Sequence, residues 1–330
     1  VSVADQRASE TWLAIKSYGA DKLTHFASYL QENDAEIWRG LETRSDICMQ
    51  VQKAFILRSE ARARGLRDEW ILDVEQRNFT ICRNRRDGKR IKIRSKSLAP
   101  GLRRLSGLQY IDVSGETDWI YYSSLPTCFV SGRRRAKQVR WRRYVSDRAG
   151  TLIVARRFGI SRPGTRLLAF CCRYPVTPGG VMWSLRNLRA TDAKILALWF
   201  NSTPNLLQLL LNRVETSGPW MQLHEYVVKD LFVLNPRQLS KAQTKLLLET
   251  FTRLKRVEFP PLGDQFSSKF RARLELDDAV LRSLGLEKEE AARIGEQARL
   301  AFVSELQNLS RIDAGNKRHS RVLRSEGTYR

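Results

Sequence analysis

The sequence lacks the short motifs that mark the common nucleotide-binding and hydrolytic sites. It contains no G-x-G-x-x-G and no G-x-x-x-x-G-K-[ST], the two usual phosphate-binding loops. It contains no G-x-S-x-G around a serine nucleophile. Histidine is scarce, and His25, His224 and His319 lie far apart with no H-E-x-x-H among them. Catalysis therefore has no support from a sequence motif, and no metal site is predicted.

Cysteine and long apolar runs are scarce as well. The five cysteines form no C-x-x-C and are odd in number, so neither a disulfide framework nor a zinc site is predicted; they are Cys48, Cys82, Cys128, Cys171 and Cys172. No apolar run reaches the roughly 20 residues that span a bilayer. The start at Val1 has neither Met nor a signal-peptide pattern. We expect reduced thiols in a cytoplasmic protein, and the start without Met leaves open whether the chain is a fragment of a longer protein or a stand-alone subunit.

Acidic residues are few relative to basic ones. The chain has 35 Asp+Glu against 58 Lys+Arg, a formal net charge of +23 at neutral pH. Such an imbalance favours polyanionic partners. Because 42% of the 330 residues are hydrophobic and eight are Trp, the chain can still bury a core. We therefore expect a folded protein that binds nucleic acid, with an anionic membrane surface as the second candidate.

The basic residues concentrate in two segments. Every position from Arg133 to Arg143 is Lys or Arg except Ala136, Gln138, Val139 and Trp141. Between residues 131 and 173 there are thirteen Lys+Arg against one acid, Asp147, with aromatic residues interleaved. The second segment, RNRRDGKRIKIR at residues 83–94, falls on a predicted hairpin, so the two segments could border one groove. The alternative to a binding site is a solvated basic face, since arginine is also common on ordinary protein surfaces.

The pattern of apolar residues predicts a mixed organisation in four regions. Residues 1–75 have helical spacing, both in TWLAIKSYGADKLTHFASYL and in ETRSDICMQVQKAFILRSEARARGL. Residues 76–238 form a basic domain, and short β-rich runs, including a hairpin at Asp87-Gly88, extend from about residue 70 to residue 185. Helical spacing returns near residue 190 and breaks at Pro204, where Ser202 or Thr203 can cap a second helix. Residues 239–312 form a C-terminal helical region, and residues 313–330 a mobile basic tail.

Carboxylates cluster in one place, the ELDD segment at residues 275–278. We interpret this cluster as the acidic first turn of a helix, where carboxylates complement the helix dipole. A metal-dependent nuclease site would need acids beside a lysine on paired strands, and the sequence offers no such set.

Two segments resemble a known family. KSLAPGLRRLSGLQYIDVSGETDWIYY, residues 96–122, resembles a stretch of target-recognition domains in which a Pro-containing turn leads into strands. MWSLRNLRATDAKILALWFNSTPNLLQLLLNRVETSGPWMQLHEYVVKDLFVLNPRQL, residues 182–239, is similar to a helix ending in Leu-Asn-Ser, a polar turn with x-Gln-Leu and a closing L-x-V-x-x-P strand. C-terminal regions of adenine-specific DNA methyltransferases and specificity subunits of type I restriction systems share this arrangement. Phe200 replaces the usual Leu, and the resemblance covers about residues 80–290.

The resemblance does not extend to the catalytic part of those enzymes. Adenine methyltransferases carry an Asn/Asp-Pro-Pro-Tyr loop and a Gly-containing loop for S-adenosylmethionine. Here Asn-Pro occurs once, at 235–236, and is followed by Arg-Gln, while Pro-Pro occurs once, at 260–261, after Phe. The resemblance therefore implies a recognition part that has no catalytic residues and no cofactor of its own. S-adenosylmethionine is expected on a separate catalytic domain or subunit, which would be the protein partner and would flip the base.

We thus predict an α+β chain, with an irregular β-rich target-recognition domain flanked by N-terminal and C-terminal helices. It would bind double-stranded DNA within a restriction-modification or phage-defence system, and no membrane. The cluster at 133–143 would grip phosphates, while base-reading residues would lie elsewhere. The predicted DNA-binding residues are Lys89, Arg90, Lys92, Arg94, Arg133, Arg134, Arg135, Lys137, Arg140, Trp141, Arg142, Arg143, Arg156, Arg157, Arg162, Trp220 and Gln222.

Some alternatives remain open at this level. Trp220 is as well explained by core packing, and Gln222 by a bond to local backbone. The whole chain is also compatible with a nuclease whose active site is dispersed along the sequence. It is compatible as well with a protein that binds RNA or single strands, since basic surfaces with aromatic residues serve unpaired nucleic acid equally well.

Overall fold

The computed structural model describes residues 3–41, 54–64, 69–122, 127–130, 137–160, 162–212 and 220–326. Helices account for 42% and strands for 27%, so the predicted α+β class is confirmed. The chain divides into two compact units built from separated stretches. The first unit comprises Val1–Gln31, Arg156–Leu168 and Lys194–Arg330, and the second comprises Glu32–Ala155 and Ala169–Ala193. The four-region division stays a prediction.

The elements are numbered here in chain order. The strands are β1 (Leu23–His25), β2 (Glu36–Arg39), β3 (Phe55–Leu57), β4 (Trp70–Glu75), β5 (Phe79–Asn84), β6 (Arg90–Arg94), β7 (Leu98–Leu102), β8 (Asp118–Tyr121), β9 (Thr127–Val130), β10 (Lys137–Arg140), β11 (Gly150–Ala155), β12 (Arg157–Gly159), β13 (Ala169–Pro178), β14 (Met182–Arg186), β15 (Trp220–Gln222) and β16 (Phe232–Leu234). The helices are α1 (Val3–Tyr18), α2 (Phe26–Glu32), α3 (Trp141–Ser146), α4 (Ala190–Asn201), α5 (Thr203–Leu211), α6 (Glu225–Asp230), α7 (Lys241–Leu254), α8 (Leu262–Ser267), α9 (Arg271–Ser283) and α10 (Lys288–Glu326).

A ten-stranded sheet forms the second unit, in the order β2-β14-β11-β13-β7-β8-β3-β4-β5-β6. Most neighbours are antiparallel, while β3 runs parallel to β4 and β13 runs parallel to β7. The strand-rich texture predicted between residues 70 and 185 is confirmed by these strands. The predicted hairpin is present, because β5 and β6 pair antiparallel with Arg83 opposite Arg90. Gly88, at a φ of +72°, supplies the left-handed residue that this turn requires.

Helical packing dominates the first unit. In α10 the buried positions Ala291, Ile294, Ala298 and Phe302 recur at threes and fours, which places them on one face of the helix. The Phe302 ring lies 4.5 Å from that of Phe266 on α8. Two short antiparallel ribbons, β1 with β16 and β12 with β15, also belong to this unit.

Asn201 and Ser202, which belong to the segment with the family resemblance, lie at the junction of α4 and α5. Ser202 caps α5, as predicted, by accepting a hydrogen bond from the Asn205 backbone N–H. The buried Asn201 side chain accepts from the Leu168 N–H at 2.7 Å and donates to the Ala197 carbonyl at 2.9 Å. These residues therefore hold backbone in place and take no part in a surface site.

Two interpretations of the sequence are wrong. The helical interpretation of residues 1 to about 70 fails at Leu23–His25, Glu36–Arg39 and Phe55–Leu57, which are strands. The ELDD segment lies inside α9, and not in its first turn. Its third residue, Asp277, is fully buried and accepts hydrogen bonds from the backbone N–H and the hydroxyl of Thr203, at 2.8 and 2.7 Å. In both segments the observed structure depends on tertiary packing, which the spacing of apolar residues along the chain does not encode.

Candidate nucleic-acid interface

One face of the ten-stranded sheet carries the cations of the β5–β6 hairpin. Directly paired residues point to the same side of a sheet, and alternate residues along a strand share a side. Leu57 is opposite Ile71, Ile71 is opposite Arg83, and Arg83 is opposite Arg90. Phe55, two residues before Leu57, is therefore on the same side. We name this side, which carries Phe55, Arg90, Lys92 and Arg94, the basic face.

Helix α3 packs on the basic face. Its residues Trp141, Tyr144 and Val145 form one buried cluster with Phe55 of β3 and Ile120 of β8. The helix thus covers the middle of the sheet. From β3 to β6 there are three strand spacings, which is about 14 Å. The tertiary structure therefore brings α3, which carries the last described cations of the first basic segment, and the β5–β6 hairpin to one face of one sheet.

Trp141 requires a correction, because we predicted it among the DNA contacts. Its side chain is completely buried, and its indole N–H donates to the Tyr121 carbonyl at 3.2 Å. The ring is thus the anchor of α3 on the sheet and is not available to a ligand. Arg142 and Arg143, next in the sequence, are exposed. The Arg142 guanidinium lies 4.8 Å from the Tyr122 ring centre, and Arg143 lies 3.6 Å from Asp147.

The remaining predicted residues of this cluster are only partly described. Arg140 is exposed at the end of β10. Lys137 begins β10, but its side chain lies outside the described residues, and Arg133, Arg134 and Arg135 lie outside them altogether.

Part of the charge on the hairpin is balanced within the protein. Asp73 lies 3.0 Å from Arg90 and 3.5 Å from Arg83, and Glu60 lies 2.8 Å from Arg83 and 3.1 Å from Arg85. In contrast, three exposed cations have no carboxylate within ion-pair distance among the described residues; these are Lys89, Lys92 and Arg94. The Lys92 ammonium lies 3.8 Å above the ring centre of Phe79. Cations without acidic partners are the ones best placed to meet phosphates.

Some of the arginines are structural. Arg62 is buried and lies 2.9 Å from the fully buried Asp118, while Arg103 is buried and lies 3.0 Å from Glu69. Such pairs serve the fold, since a buried charge must be paired to be tolerated. The count of 58 Lys+Arg therefore overstates the number of cations available to a partner, although each such pair leaves the net charge unchanged.

A second exposed surface belongs to the first unit, on the ribbon formed by β12 and β15. Arg157 is opposite Gln222, Phe158 is opposite Met221, and Gly159 is opposite Trp220. Phe158 and Met221 are buried, so the apolar side of the ribbon faces the core. By alternation the other side carries Arg157, Gln222 and Trp220, and Trp220 is 49% exposed. The interpretation of Trp220 as a core residue is therefore wrong.

The Trp220 ring is held together with a guanidinium. The Cζ of Arg162 lies 5.5 Å from the Trp220 ring centre. Gly159 makes this contact possible, because a Cβ at that position would stand 2.4 Å from the Arg162 Cγ. The arrangement is a cation–π pair on an exposed surface.

The row of polar and aromatic side chains continues beyond the strand. The Gln222 amide donates to the His224 Nε2 at 2.8 Å, which replaces the predicted bond to local backbone. The His224 ring stacks on Tyr226, with centres 5.5 Å apart and planes 10° apart, and Tyr226 is 66% exposed. We name the group of Arg157, Arg162, Trp220, Gln222, His224 and Tyr226 the ribbon platform. His224 and Tyr226 were not predicted as site residues, although Trp, Gln, His and Tyr at every second position from 220 to 226 are a sequence pattern that indicates a polar and aromatic surface.

Arg156 requires the second correction among the predicted site residues. It is 7% exposed, so it belongs to the buried part of the first unit. Its carbonyl accepts from the Leu223 N–H at 2.8 Å, which extends the ribbon by one backbone bond. Arg157 and Arg162 stay as the exposed candidates from this segment.

Two buried cysteines of the described residues are not activated as nucleophiles. Burial raises the pKa of the Cys82 thiol to about 12, and burial also raises the pKa of Cys172. Both thiols are thus neutral near pH 7 and are poor nucleophiles. Within the described part of the chain no group of three His, Cys, Asp or Glu is placed to hold a metal ion. No described helix is long and apolar enough to cross a membrane.

The structure thus defines a mixed α+β chain with a basic sheet face and a separate aromatic ribbon surface. No protein-family model matches the sequence, and no curated protein matches it significantly. The fold is similar to part of a crystal structure of the type IIG restriction endonuclease BpuSI, with a TM-score of 0.52 and 12% sequence identity. The match covers 89% of this chain and 33% of that one, so this chain spans about a third of the length of BpuSI.

Proposed function

We propose that this chain is the DNA target-recognition part of a restriction-modification or phage-defence adenine methyltransferase. The observation that carries the proposal is the basic face, where two segments remote in sequence present exposed cations on one sheet. Arg142 and Arg143 stand on α3, and Lys92 and Arg94 stand on β6. Helix α3 packs on β3, which lies about 14 Å from β6, so the two sets of cations stand on separate elements of the same face.

Two further observations support this assignment. The resemblance of residues 182–239 to the C-terminal regions of adenine methyltransferases comes from the sequence alone. The likeness in fold to part of BpuSI, a type IIG restriction endonuclease, comes from the structure. The two are independent, and both favour restriction-modification as the biological setting.

In this function the chain recognises DNA and another polypeptide or domain performs the methyl transfer. The cations of the basic face bind phosphates, which position the duplex but do not read its sequence. S-adenosylmethionine binds to the separate catalytic part. Calorimetry of this chain with S-adenosylmethionine is expected to give no heat of binding.

The experiment that tests the proposal is selection of duplexes from a random library by the purified chain. A recognition domain is expected to enrich one short motif, which contains an adenine as the base to be methylated. Binding of unselected duplexes should be steeply salt-dependent. If about six to ten phosphates are contacted, affinity falls about 10³- to 10⁵-fold between 50 and 200 mM salt. Recovery of the library without any enriched motif, or a flat salt response, would contradict the proposal.

A further inference from the structure

We propose that the ribbon platform of the first unit binds an unpaired nucleobase of DNA, by stacking it on Trp220. The inference rests on the proposed function in that it takes DNA as the partner. It concerns a different surface and a different state of the ligand, because the basic face would hold duplex phosphates while the ribbon platform would hold a base outside the helix.

Trp220 presents a large, exposed ring on the β12–β15 ribbon. Trp220 is 49% exposed, although Met221 and Phe158 on the other side of the same ribbon are 5% and 2% exposed. The strand pairing fixes the backbone of Trp220, so the ring offers its face with little loss of conformational freedom. Exposed aromatic rings on a fixed backbone are the usual platforms for unpaired bases, because every base has a π face.

The second argument is the guanidinium beside the ring. Arg162 lies 5.5 Å from the ring centre, and Gly159 leaves the space that its side chain occupies. A guanidinium plane can stack on a base as an aromatic ring does, and its charge attracts the adjoining phosphate. Glycine at 159 thus has a function that alanine could not fulfil without displacing Arg162.

The third argument is the polar row that follows. Gln222 and Arg157 are opposite each other on the exposed side of the ribbon and offer donors to base edges or phosphate. The stacked pair of His224 and Tyr226 adds further aromatic surface next to them. Glu225, the nearest acid in sequence, is paired with Lys229 at 2.7 Å, so its charge is balanced. The chemistry of the platform therefore fits a nucleic-acid strand better than a cationic or purely apolar ligand.

The test measures binding of three fluorescein-labelled probes by anisotropy. These are a twelve-nucleotide oligothymidylate, a twelve-base-pair duplex, and the same duplex with one unpaired bulged base. The variants are Trp220→Ala, Trp220→Phe, Arg162→Ala and Gly159→Ala. The matched control is Trp38→Ala in the second unit, because Trp38 is also an exposed tryptophan, 38% accessible, with the Arg148 guanidinium 5.6 Å from its ring.

Trp220→Ala is expected to weaken oligothymidylate and bulged-duplex binding about 5- to 150-fold, the loss of one base stack. Trp220→Phe, which retains an aromatic face, should keep most of the affinity. The plain duplex and the Trp38→Ala control should behave as the wild type does. Gly159→Ala should weaken binding in the wild-type background but have no effect when Arg162 is already alanine, because its effect passes through the Arg162 side chain.

Three outcomes would overturn the inference. One is wild-type binding of oligothymidylate by Trp220→Ala. Another is an equal loss in Trp38→Ala, which would mean that the effect is not local to the platform. The third is an equal loss on all three probes, which would place Trp220 at the duplex interface instead. In each case the plain duplex still binds the wild type, so the proposed function would survive, whereas failure of the wild type to bind any probe would remove both.

Discussion

Removing two cations from the basic face gives the sharpest test of how the chain meets DNA. We choose Lys92→Gln with Arg94→Gln, because both residues are exposed and have no carboxylate within ion-pair distance among the described residues. Glutamine retains part of the aliphatic stem but loses the charge, and with it the contact of the Lys92 ammonium with the Phe79 ring, which is worth about 0.5–1 kcal/mol at an exposed site. The fold should be unaffected, since exposed charges contribute little to stability.

The expected magnitude follows from counterion release. Each phosphate contact contributes about 0.9 to the slope of log affinity against log salt, so two lost contacts lower that slope by about 1.8. Between 50 and 200 mM salt the concentration changes fourfold, or about 0.6 log units. Raising the salt over this range should therefore weaken DNA binding by the double variant by a factor about ten times smaller than the factor for the wild type. At low salt the double variant should bind DNA more weakly than the wild type.

The assay is anisotropy of a labelled random duplex, titrated at several salt concentrations. The matched control is Lys241→Gln with Lys245→Gln, which removes the same charge from two exposed lysines on α7 in the first unit. If the control lowers the slope as much as the hairpin variant, net charge alone governs binding. If the hairpin variant keeps the wild-type slope, Lys92 and Arg94 do not meet phosphates. Either result refutes the reasoning.

Five other predictions concern four particular residues. Arg142→Ala should weaken binding of selected and random duplexes by similar factors and lower the salt slope by about one, whereas a base-reading arginine would cost about 1–3 kcal/mol on the selected site alone. Trp141→Ala should lower the free energy of unfolding by about 3–5 kcal/mol in urea titrations, because it empties a fully buried site; unchanged stability with lost DNA binding would restore Trp141 to the interface. Asp277→Ala should cost about 3–5 kcal/mol, since it leaves the buried N–H and hydroxyl of Thr203 without their acceptor and removes a carboxylate 3.8 Å from Arg299. Desolvation raises the pKa of Asp277, so the folded state holds the proton more tightly than the unfolded chain, and the stability that this group contributes falls as pH rises above 3.8. The free energy of unfolding of Asp277→Asn relative to that of the wild type should therefore increase with pH. Chemical denaturation at several pH values will show or exclude this increase. Cys82, whose pKa is about 12, should react with a thiol reagent only after unfolding, and peptide mapping of the labelled native chain will check this.

The sequence was sufficient to predict structures that depend on residues close together in the chain. The Asp87-Gly88 hairpin, the strands between residues 70 and 185 and the cap at Ser202 could be predicted because a turn residue, a period of two and a capping hydroxyl act over a few positions. The excess of basic residues likewise indicated a polyanionic partner, because net charge depends on composition alone. Composition did not indicate which cations reach the surface, because pairing of Arg62 with Asp118 and of Arg103 with Glu69 joins residues that are remote in sequence.

Burial and proximity were decided by the tertiary structure alone. Trp141 is flanked by arginines in the sequence and Trp220 by Pro219 and Met221, yet the first is completely buried between α3 and the sheet and the second is half exposed on a ribbon. Residues 133–143 and 83–94 are two separate basic clusters in the sequence, and the sheet places α3 and β6 on one face. The ribbon platform depends on Arg162 crossing Gly159 to reach Trp220, 58 residues further along the chain. Sequence determines the residue types and local periods, but the register of strands remote in sequence decides which side chains meet and which reach the solvent.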